Sequence, residues 1–255
     1  MSNKHFLALP VTGDTFAEIR EKNRYYVDKT PYLKTVFSED EAVDDKSLIN
    51  GTTVLLLTRP RRFGKTLLMS MFESFLKISA KEPGNITKHL NYFKGTKILE
   101  DKEFCKKYMG QFPVISITLK DVLGDDFESA YLKLAEVVSA KANEFSFLKE
   151  SPYLNEMEKA KFNLLCDEIY LKKADKQAIS YVTSAIKSLS LMLYKHFNKQ
   201  VYILIDEYDV PLAKAQEHGY HKDMVTLMSS FLGFLKDPQK DPEKDTSIIS
   251  KVILT

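Results

Sequence analysis

Cysteine is scarce in this sequence, which contains only two, Cys105 and Cys166, far apart in the chain. Their spacing excludes a disulfide framework and a zinc site built on cysteine pairs, so we expect both to be buried or half-buried thiols. No apolar run is long enough to cross a membrane, and the first residues lack the apolar region and cleavage site of a signal peptide. These absences predict a cytoplasmic protein that is neither exported nor anchored in a membrane.

An excess of positive charge is also missing, since the formal net charge is only +2. This leaves no global electrostatic footprint for DNA or RNA and no direct nucleic-acid signal, so any contact with them would be local or through another molecule. Arginine is rare: all five arginines precede Phe63, and three of them fall within Arg59–Arg62. They are either scattered arginines of a lysine-rich sequence or guanidinium groups placed to pair with phosphates or carboxylates. The cluster favours the second interpretation.

What the sequence does contain is an alternation of strand and helix patterns. Its 255 residues, 44% of them hydrophobic, suffice for one large α/β domain or two small ones. Apolar or β-branched runs predict strands at Thr53–Thr58, Phe112–Thr118, Val201–Ile205 and Ile248–Leu254. Helical periodicity predicts helices at Lys65–Ile78, about 127–148, Asn155–Lys173, Ala178–Phe197, Val210–Glu217 and His221–Leu235, with short helices in Asn85–Tyr108 and a solvated loop at Lys236–Asp245. The alternation predicts an α/β fold with helices on both faces of a mainly parallel sheet, which binds ligands at the carboxyl ends of its strands.

The segment Arg59–Thr66 lies between the first strand and the helix that follows it. It ends in Gly64-Lys65-Thr66, as the phosphate-binding pattern G-x-x-x-x-G-K-[ST] requires, although Arg59 stands where that pattern has its first glycine. Backbone N–H groups at a helix start bind phosphate, a first-turn lysine can reach the β- and γ-phosphates, and a threonine hydroxyl suits a partly hydrated Mg²⁺. The triplet alone is a weak signal, and its position between strand and helix strengthens it. The residues predicted to bind ATP are Arg59, Pro60, Arg61, Arg62, Phe63, Gly64, Lys65, Thr66 and Leu67.

A second group of polar residues follows the strand Val201–Ile205. Asp206 falls where a P-loop enzyme keeps the aspartate that holds Mg²⁺, so Thr66 and Asp206 are the predicted metal ligands. Glu207 is the predicted catalytic residue together with Lys65, since a carboxylate beside the metal site can orient the attacking water. The alternative is that both acids merely cap the next helix, but an all-apolar strand before them and the Gly-Lys-Thr unit elsewhere favour the metal site.

Three weaker features complete the candidate site. Thr255, at the end of the last strand, is either a sensor of the γ-phosphate or a residue with no role. Asp209 is either a partner of Arg61 or Arg62 or a helix cap, with the cap slightly favoured. In Tyr25–Thr30, a tyrosine either stacks on the adenine or packs ordinarily, with Asp28 bonded to backbone; ordinary packing is favoured.

These motifs together resemble the AAA-ATPase-like family. The resemblance rests on four separated motifs that occur in the family's order along the chain, and it covers about residues 16–255. They are Tyr25–Thr30, Arg59–Thr66 with its arginine pair, Phe112–Ile115 and Leu204–Asp209. The resemblance makes Arg59 the family's own variation rather than a sign of a dead site. It implies a P-loop NTPase three-layer α/β/α fold of the additional-strand, catalytic-glutamate type, in which the sensor strand separates the P-loop strand from the strand of Asp206.

The resemblance also sets expectations about domain organisation. It implies one domain over residues 1–255, with an N-terminal segment 1–50 and a nucleotide-binding core 51–255 that contains a helical insertion at about 125–198. Longer members continue into a restriction-endonuclease-like domain of the PD-(D/E)XK kind. This chain ends at the sensor strand, and we expect the next strand and the lid to be missing, as in an excised or truncated piece or a domain that needs a partner.

Two functions remain open at this point. The first is Mg²⁺-dependent binding of ATP with slow hydrolysis. The second is an ATP-binding switch with negligible hydrolysis that acts through a partner chain or a homo-oligomer. Glu207 favours hydrolysis, whereas the absence of arginine after Arg62 favours slow turnover, because an arginine finger contributes roughly 10³ to 10⁵ in rate. An incomplete sheet edge near the last strands would allow pairing with another chain.

Overall fold

The structure is a computed structural model that describes residues 8–11, 15–37, 53–58, 63–236, 240–241 and 244–255. The chain divides into two units. The first comprises residues 1–52 and 57–112, and the second comprises residues 53–56 and 113–255. The division of the chain into a single domain with a helical insertion stays a prediction.

A four-stranded parallel sheet forms the centre of the second unit. Its strands are β1 (Val54–Leu56), β2 (Val114–Thr118), β3 (Val201–Asp206) and β6 (Ile249–Leu254). Every residue of β3 is buried, which explains why its sequence is apolar on both faces. The predicted α/β architecture with a mainly parallel sheet is confirmed.

The strands are arranged in the order β1-β6-β3-β2. The strand that ends in Asp206 is therefore separated from β1 by β6, as the family resemblance implies. Because β6 pairs with β1 on one side and with β3 on the other, the last strand is interior to the sheet. The expectation of an open edge near the last strands is wrong for the residues that the structure describes, since β1 and β2 are its edges.

Helices of the second unit cover the sheet and form one hydrophobic cluster with it. They begin at residues that cap them, such as Asp126 before the longest helix and Asn155, which forms a capping box with Glu158. These helices are α6 (Phe127–Glu144), α7 (Glu156–Cys166), α8 (Glu168–Leu171), α9 (Lys176–Thr183), α10 (Ala185–Phe197), α11 (Val210–His218) and α12 (His221–Phe231).

Two helices predicted as continuous are each divided in two. The first breaks at Asp167, whose side chain accepts a hydrogen bond from the N–H of Tyr170 and so starts a new helix. The second breaks at Ser184, between α9 and α10. Short polar side chains that bond to nearby backbone compete with a continuous helix, and apolar periodicity does not register them.

The predicted solvated loop at 236–245 contains one described departure. Lys240–Asp241 (β4) pairs antiparallel with Thr246–Ser247 (β5), so part of this charged segment forms a small two-stranded ribbon.

The first unit is helical and is built around aromatic side chains. Its helices are α1 (Phe16–Glu21), α2 (Pro31–Phe37), α3 (Lys65–Leu76), α4 (Thr87–Phe93) and α5 (Lys102–Tyr108), with a 3₁₀ turn at Lys97–Glu100. Phe16 contacts Phe93, which in turn packs edge-on against Phe75 of α3 at a ring-centroid distance of 5.2 Å. All three rings are fully buried. This packing fixes α3 within the first unit.

Candidate functional site

The Gly-Lys-Thr triplet stands at the N-terminus of α3, as predicted. Gly64 is the N-cap residue and has φ 73°, in the left-handed region that glycine adopts without a steric penalty. Glycine has no side chain, so the first N–H groups of the helix receive no hydrogen bond from a capping side chain. Such N–H groups have no partner within a helix and, with the helix dipole, favour an anion at this end. Lys65 is half-buried and Thr66 is exposed.

The side chains of the segment Tyr25–Thr30 hold it in place within the first unit. The ring of Tyr26 meets that of Phe16 at 5.1 Å, and its hydroxyl donates to the sulfur of Met71 in α3 at 3.2 Å. Burial, the largest effect, raises the pKa of Tyr26 to about 12. For Tyr26, these contacts are those of ordinary packing, the alternative that the sequence favoured. Tyr25 is instead 51% exposed.

Asp28 is bonded to backbone, also as that alternative predicts. Its carboxylate accepts hydrogen bonds from the N–H of Lys97 at 2.8 Å, and from the N–H and hydroxyl of Thr30 at 2.9 and 2.7 Å. Burial raises the pKa of Asp28, but the hydrogen bonds from Lys97 and Thr30 outweigh it, so the pKa is lowered overall. These hydrogen bonds fix the segment in place. The ring of Tyr26 is packed inside the first unit and is not free to stack on a ligand.

In the second unit, polar groups gather where β3 and β6 end. The carboxylate of Asp206 accepts a hydrogen bond from the hydroxyl of Thr255. Both residues are buried, with exposed fractions of 6% and 4%. The structure thus brings together two of the predicted site residues. The sequence leaves the role of Thr255 open, because it does not show that the last strand lies beside β3.

The backbone around Asp206 is fixed by neighbouring strands. The N–H of Leu119 donates to the Asp206 carbonyl at 3.0 Å, and the N–H of Thr255 donates to the Ile205 carbonyl at 3.0 Å. These bonds extend the ladders on both sides of β3 to its last residue. A carboxylate at this position is held rigidly, as a metal ligand requires.

Glu207 has a backbone conformation that the sequence did not indicate. Its φ is 56°, in the left-handed region that is uncommon for residues other than glycine. The bend is maintained on both sides: the N–H of Tyr208 donates to the Thr255 carbonyl at 3.2 Å, and the N–H of Val210 donates to the Glu207 carbonyl at 3.2 Å. Left-handed backbone at a non-glycine residue is characteristic of functional sites, where surrounding contacts hold the strain.

Asp209 stands at the N-cap position of α11, but its side chain makes no capping hydrogen bond. Capping through this side chain, the slightly favoured interpretation, is therefore wrong. Arg59, Pro60, Arg61 and Arg62 lie outside the described residues, so their predicted contacts with ATP stay predictions.

Metal-ligating side chains are sparse. Within the part of the chain that the structure describes, no three His, Cys, Asp or Glu side chains cluster so as to hold a metal ion. Proteins commonly bind Mg²⁺ through one or two carboxylates together with waters and substrate phosphates. The buried Asp206 carboxylate with its hydroxyl neighbour is a donor set of that kind, and so these residues fit Mg²⁺ carried by a phosphate ligand.

Both cysteines are half-buried and unpaired with each other, which confirms the prediction from their spacing. Among the described residues, none of the helices combines the length and apolar character needed to cross a membrane.

Comparison with known proteins identifies the chain's relationships. No curated protein and no solved structure matches it. A family model described as "Predicted AAA-ATPase" matches residues 10–255. This match covers nearly all of the chain, including the Gly64 and Asp206 segments. The chain therefore belongs to the AAA-ATPase-like family.

Proposed function

We propose that this protein binds ATP in a Mg²⁺-dependent manner and hydrolyses it slowly, on a P-loop NTPase fold of the additional-strand, catalytic-glutamate type. The observation that carries the proposal is the buried Asp206 carboxylate at the end of the central strand β3, bonded to Thr255 at the end of β6. The strand order β1-β6-β3 supports the fold, because β6, which we propose as the sensor strand, lies between the other two. Family membership supports the ATPase class.

In this proposal the N-terminus of α3 binds the phosphates. Gly64 contributes a backbone that a ligand can approach closely, and the N–H groups of the first turn donate to phosphate oxygens. Lys65 places its ammonium between the β- and γ-phosphates, where it balances negative charge. The hydroxyl of Thr66 serves as a metal ligand.

Asp206 and Glu207 have different roles because they have different surroundings. Asp206 is buried and held by Thr255, so its carboxylate is suited to hold Mg²⁺ through water. When bound, Mg²⁺ would neutralise charge on the β- and γ-phosphates. Glu207 is only half-buried and lies just beyond the strand, where its carboxylate orients a water molecule for attack on the γ-phosphate.

A second candidate function is an ATP-dependent switch with negligible hydrolysis. It is favoured by the distribution of arginine, since no arginine follows Arg62 in these 255 residues. A guanidinium that stabilises the transition state from the downstream part of the site would have to come from another chain or segment. That contribution is worth roughly 10³ to 10⁵ in rate.

A pair of variants tests the proposal. Binding of labelled ATP is measured with and without Mg²⁺, and phosphate release is measured in parallel, for the wild type, Lys65→Ala and Glu207→Gln. Lys65→Ala should lose binding, because the phosphates lose their counter-charge. Glu207→Gln should keep binding and lose release, because the amide no longer orients and polarises the water. Lys102→Met, which removes an exposed lysine of α5, is the charge-matched control.

The outcomes separate the two functions. Mg²⁺-dependent binding with release abolished in Glu207→Gln supports the ATPase. Mg²⁺-dependent binding without measurable release by the wild type supports the switch. Equal binding by the wild type and Lys65→Ala would refute both.

A further inference from the structure

A second lysine, Lys29, reaches Phe63 and Gly64, the residues directly before α3. Its ammonium nitrogen lies 3.4 Å from the carbonyl oxygen of Phe63 and donates a hydrogen bond to it. A Cβ added at Gly64 would lie only 2.9 Å from the same nitrogen. The ammonium therefore rests directly against the Phe63–Gly64 peptide. A side chain at Gly64 would have to displace it.

The position of Lys29 is set by its neighbours on both sides. The N–H of Lys29 donates to the Tyr26 hydroxyl at 3.1 Å, and that hydroxyl donates to Met71 of α3. On the other side, the buried Thr30 hydroxyl accepts from the N–H of Ile98 at 3.2 Å. Lys29 thus extends from a backbone that is fixed to the same helix whose N-terminus it faces. The conformational cost of placing its ammonium falls mainly on its own side chain.

The hydrogen bond from the ammonium favours one orientation of the Phe63–Gly64 peptide. In a trans peptide the C=O and N–H groups point in opposite directions within one plane. Because Lys29 donates to the Phe63 carbonyl, the Gly64 N–H points away from the Lys29 ammonium. A rotation of this peptide would break its hydrogen bond from the charged ammonium of Lys29.

The same geometry separates the role of Lys29 from that of Lys65. An ammonium bonded to the carbonyl lies on the face opposite the N–H, so it does not share a ligand that the Gly64 N–H binds. A cation on the carbonyl side also polarises the peptide and makes its N–H a better donor. Within the described residues, Lys29 forms no ion pair with a carboxylate that would draw it away.

We propose that Lys29 is a positioning residue of the phosphate-binding loop, which fixes the Phe63–Gly64 peptide so that the Gly64 N–H faces the phosphates. This inference rests on the proposed function, because it concerns the same loop. It assigns a role to the Tyr25–Thr30 segment: the tyrosine and aspartate hold the segment, and Lys29 acts on the loop.

The first experiment measures nucleotide affinity in matched variants. Lys29→Met keeps the side-chain stem but removes the donor, Lys29→Arg restores a charged donor, and Lys102→Met removes one exposed positive charge from the same unit. Lys29→Met should weaken Mg-ATP binding by roughly fivefold to tenfold, as loss of a charge-assisted hydrogen bond implies. Lys29→Arg should stay within about twofold of the wild type, and Lys102→Met should be unchanged. Melting temperature is recorded for all of them.

The second experiment observes the peptide itself without nucleotide. Phe63–Gly64 is the only Phe-Gly pair in the sequence, so carbonyl-¹³C phenylalanine with ¹⁵N glycine gives a single cross-peak for this peptide. The peak should move in Lys29→Met, remain near its wild-type position in Lys29→Arg, and be unaffected in Lys102→Met. This readout reports the carbonyl hydrogen bond whether or not ATP binds.

The outcomes distinguish this inference from the proposed function. If Lys65→Ala loses binding but Lys29→Met binds as tightly as the wild type, the proposed function stands and the role of Lys29 is refuted. An unmoved cross-peak in Lys29→Met refutes it as well. Equal weakening in Lys29→Arg or in Lys102→Met would also refute it, as would weakening that is fully matched by a fall in melting temperature. Failure of the wild type to bind nucleotide would remove the proposed function and this inference together.

Discussion

Replacing Glu207 by glycine should give a protein that is more stable than the Glu207→Ala variant and less active than the wild type. Its left-handed backbone, with φ 56°, costs an L-residue about 1–2 kcal/mol, and glycine does not pay this cost. The appropriate comparison is Glu207→Ala, which also removes the carboxylate but keeps the Cβ that causes the strain. Glycine also gains freedom in the unfolded chain, which offsets about 0.4–1 kcal/mol. Glu207→Gly should therefore exceed Glu207→Ala by roughly 0.5–1 kcal/mol in free energy of unfolding.

Urea denaturation at neutral pH measures this difference, and thermal melting supports it. For a chain of this size the gap corresponds to roughly 1–4 °C in melting temperature. Asn198, which has φ 51° at the end of α10, offers a control away from the candidate site. Asn198→Gly should likewise be more stable than Asn198→Ala, but neither should alter phosphate release, whereas both Glu207 variants should abolish it. If Glu207→Ala were as stable as Glu207→Gly while the Asn198 pair behaved as expected, the argument that Glu207 is strained would be refuted.

Three further predictions concern other groups. Thr255→Val should lower the free energy of unfolding by about 1–3 kcal/mol in urea denaturation, because the buried Asp206 carboxylate loses its hydrogen-bond donor; an unchanged value would count against that contact. The folded-state pKa of Asp28 is lowered, so its contribution to stability is present above the unfolded pKa of about 3.9 and is lost as pH falls through the folded value. Asp28→Asn should thus be less stable than the wild type at pH 7, with a difference that narrows below about pH 4 in acid denaturation; a constant difference would contradict this. Burial, with a smaller effect from Asp101, raises the pKa of Cys105 to about 11. Iodoacetamide at pH 8 should therefore alkylate Cys105 at least roughly tenfold more slowly than a thiol in an unfolded peptide. Mass spectrometry of the Cys105 peptide measures this rate.

The strands were predictable because burial on both faces leaves a simple mark in the sequence. β2, β3 and β6 begin and end within one or two residues of the predicted runs. Helix boundaries were less accessible, since Asp167 and Ser184 interrupt apolar periodicity through single polar side chains. Helix α1 was missed, although Thr15 and Glu18 form the capping box that announces it.

The sequence predicted the residue types of the candidate site but not the contacts between them. A glycine before Lys65 suggests a special backbone, whereas a glutamate gives no sign of the left-handed conformation found at Glu207. The contact between Thr255 and Asp206 depends on strand order, which local patterns do not specify. Lys29 meets the Phe63 carbonyl only through the folded packing of the first unit. The Tyr25–Thr30 motif was the signal that could have directed attention to it.

The interior position of β6 constrains when the protein can fold. Among the strands that the structure describes, β1 pairs with β6 alone, and the two are far apart in sequence, since Val54 lies opposite Val252. Pairings of such high sequence separation form slowly, and during synthesis β1 cannot pair until β6 has left the ribosome. We therefore expect β1 to be among the last strands to pair. β1 would then be synthesised before the other strands of the four-stranded sheet but would join that sheet late.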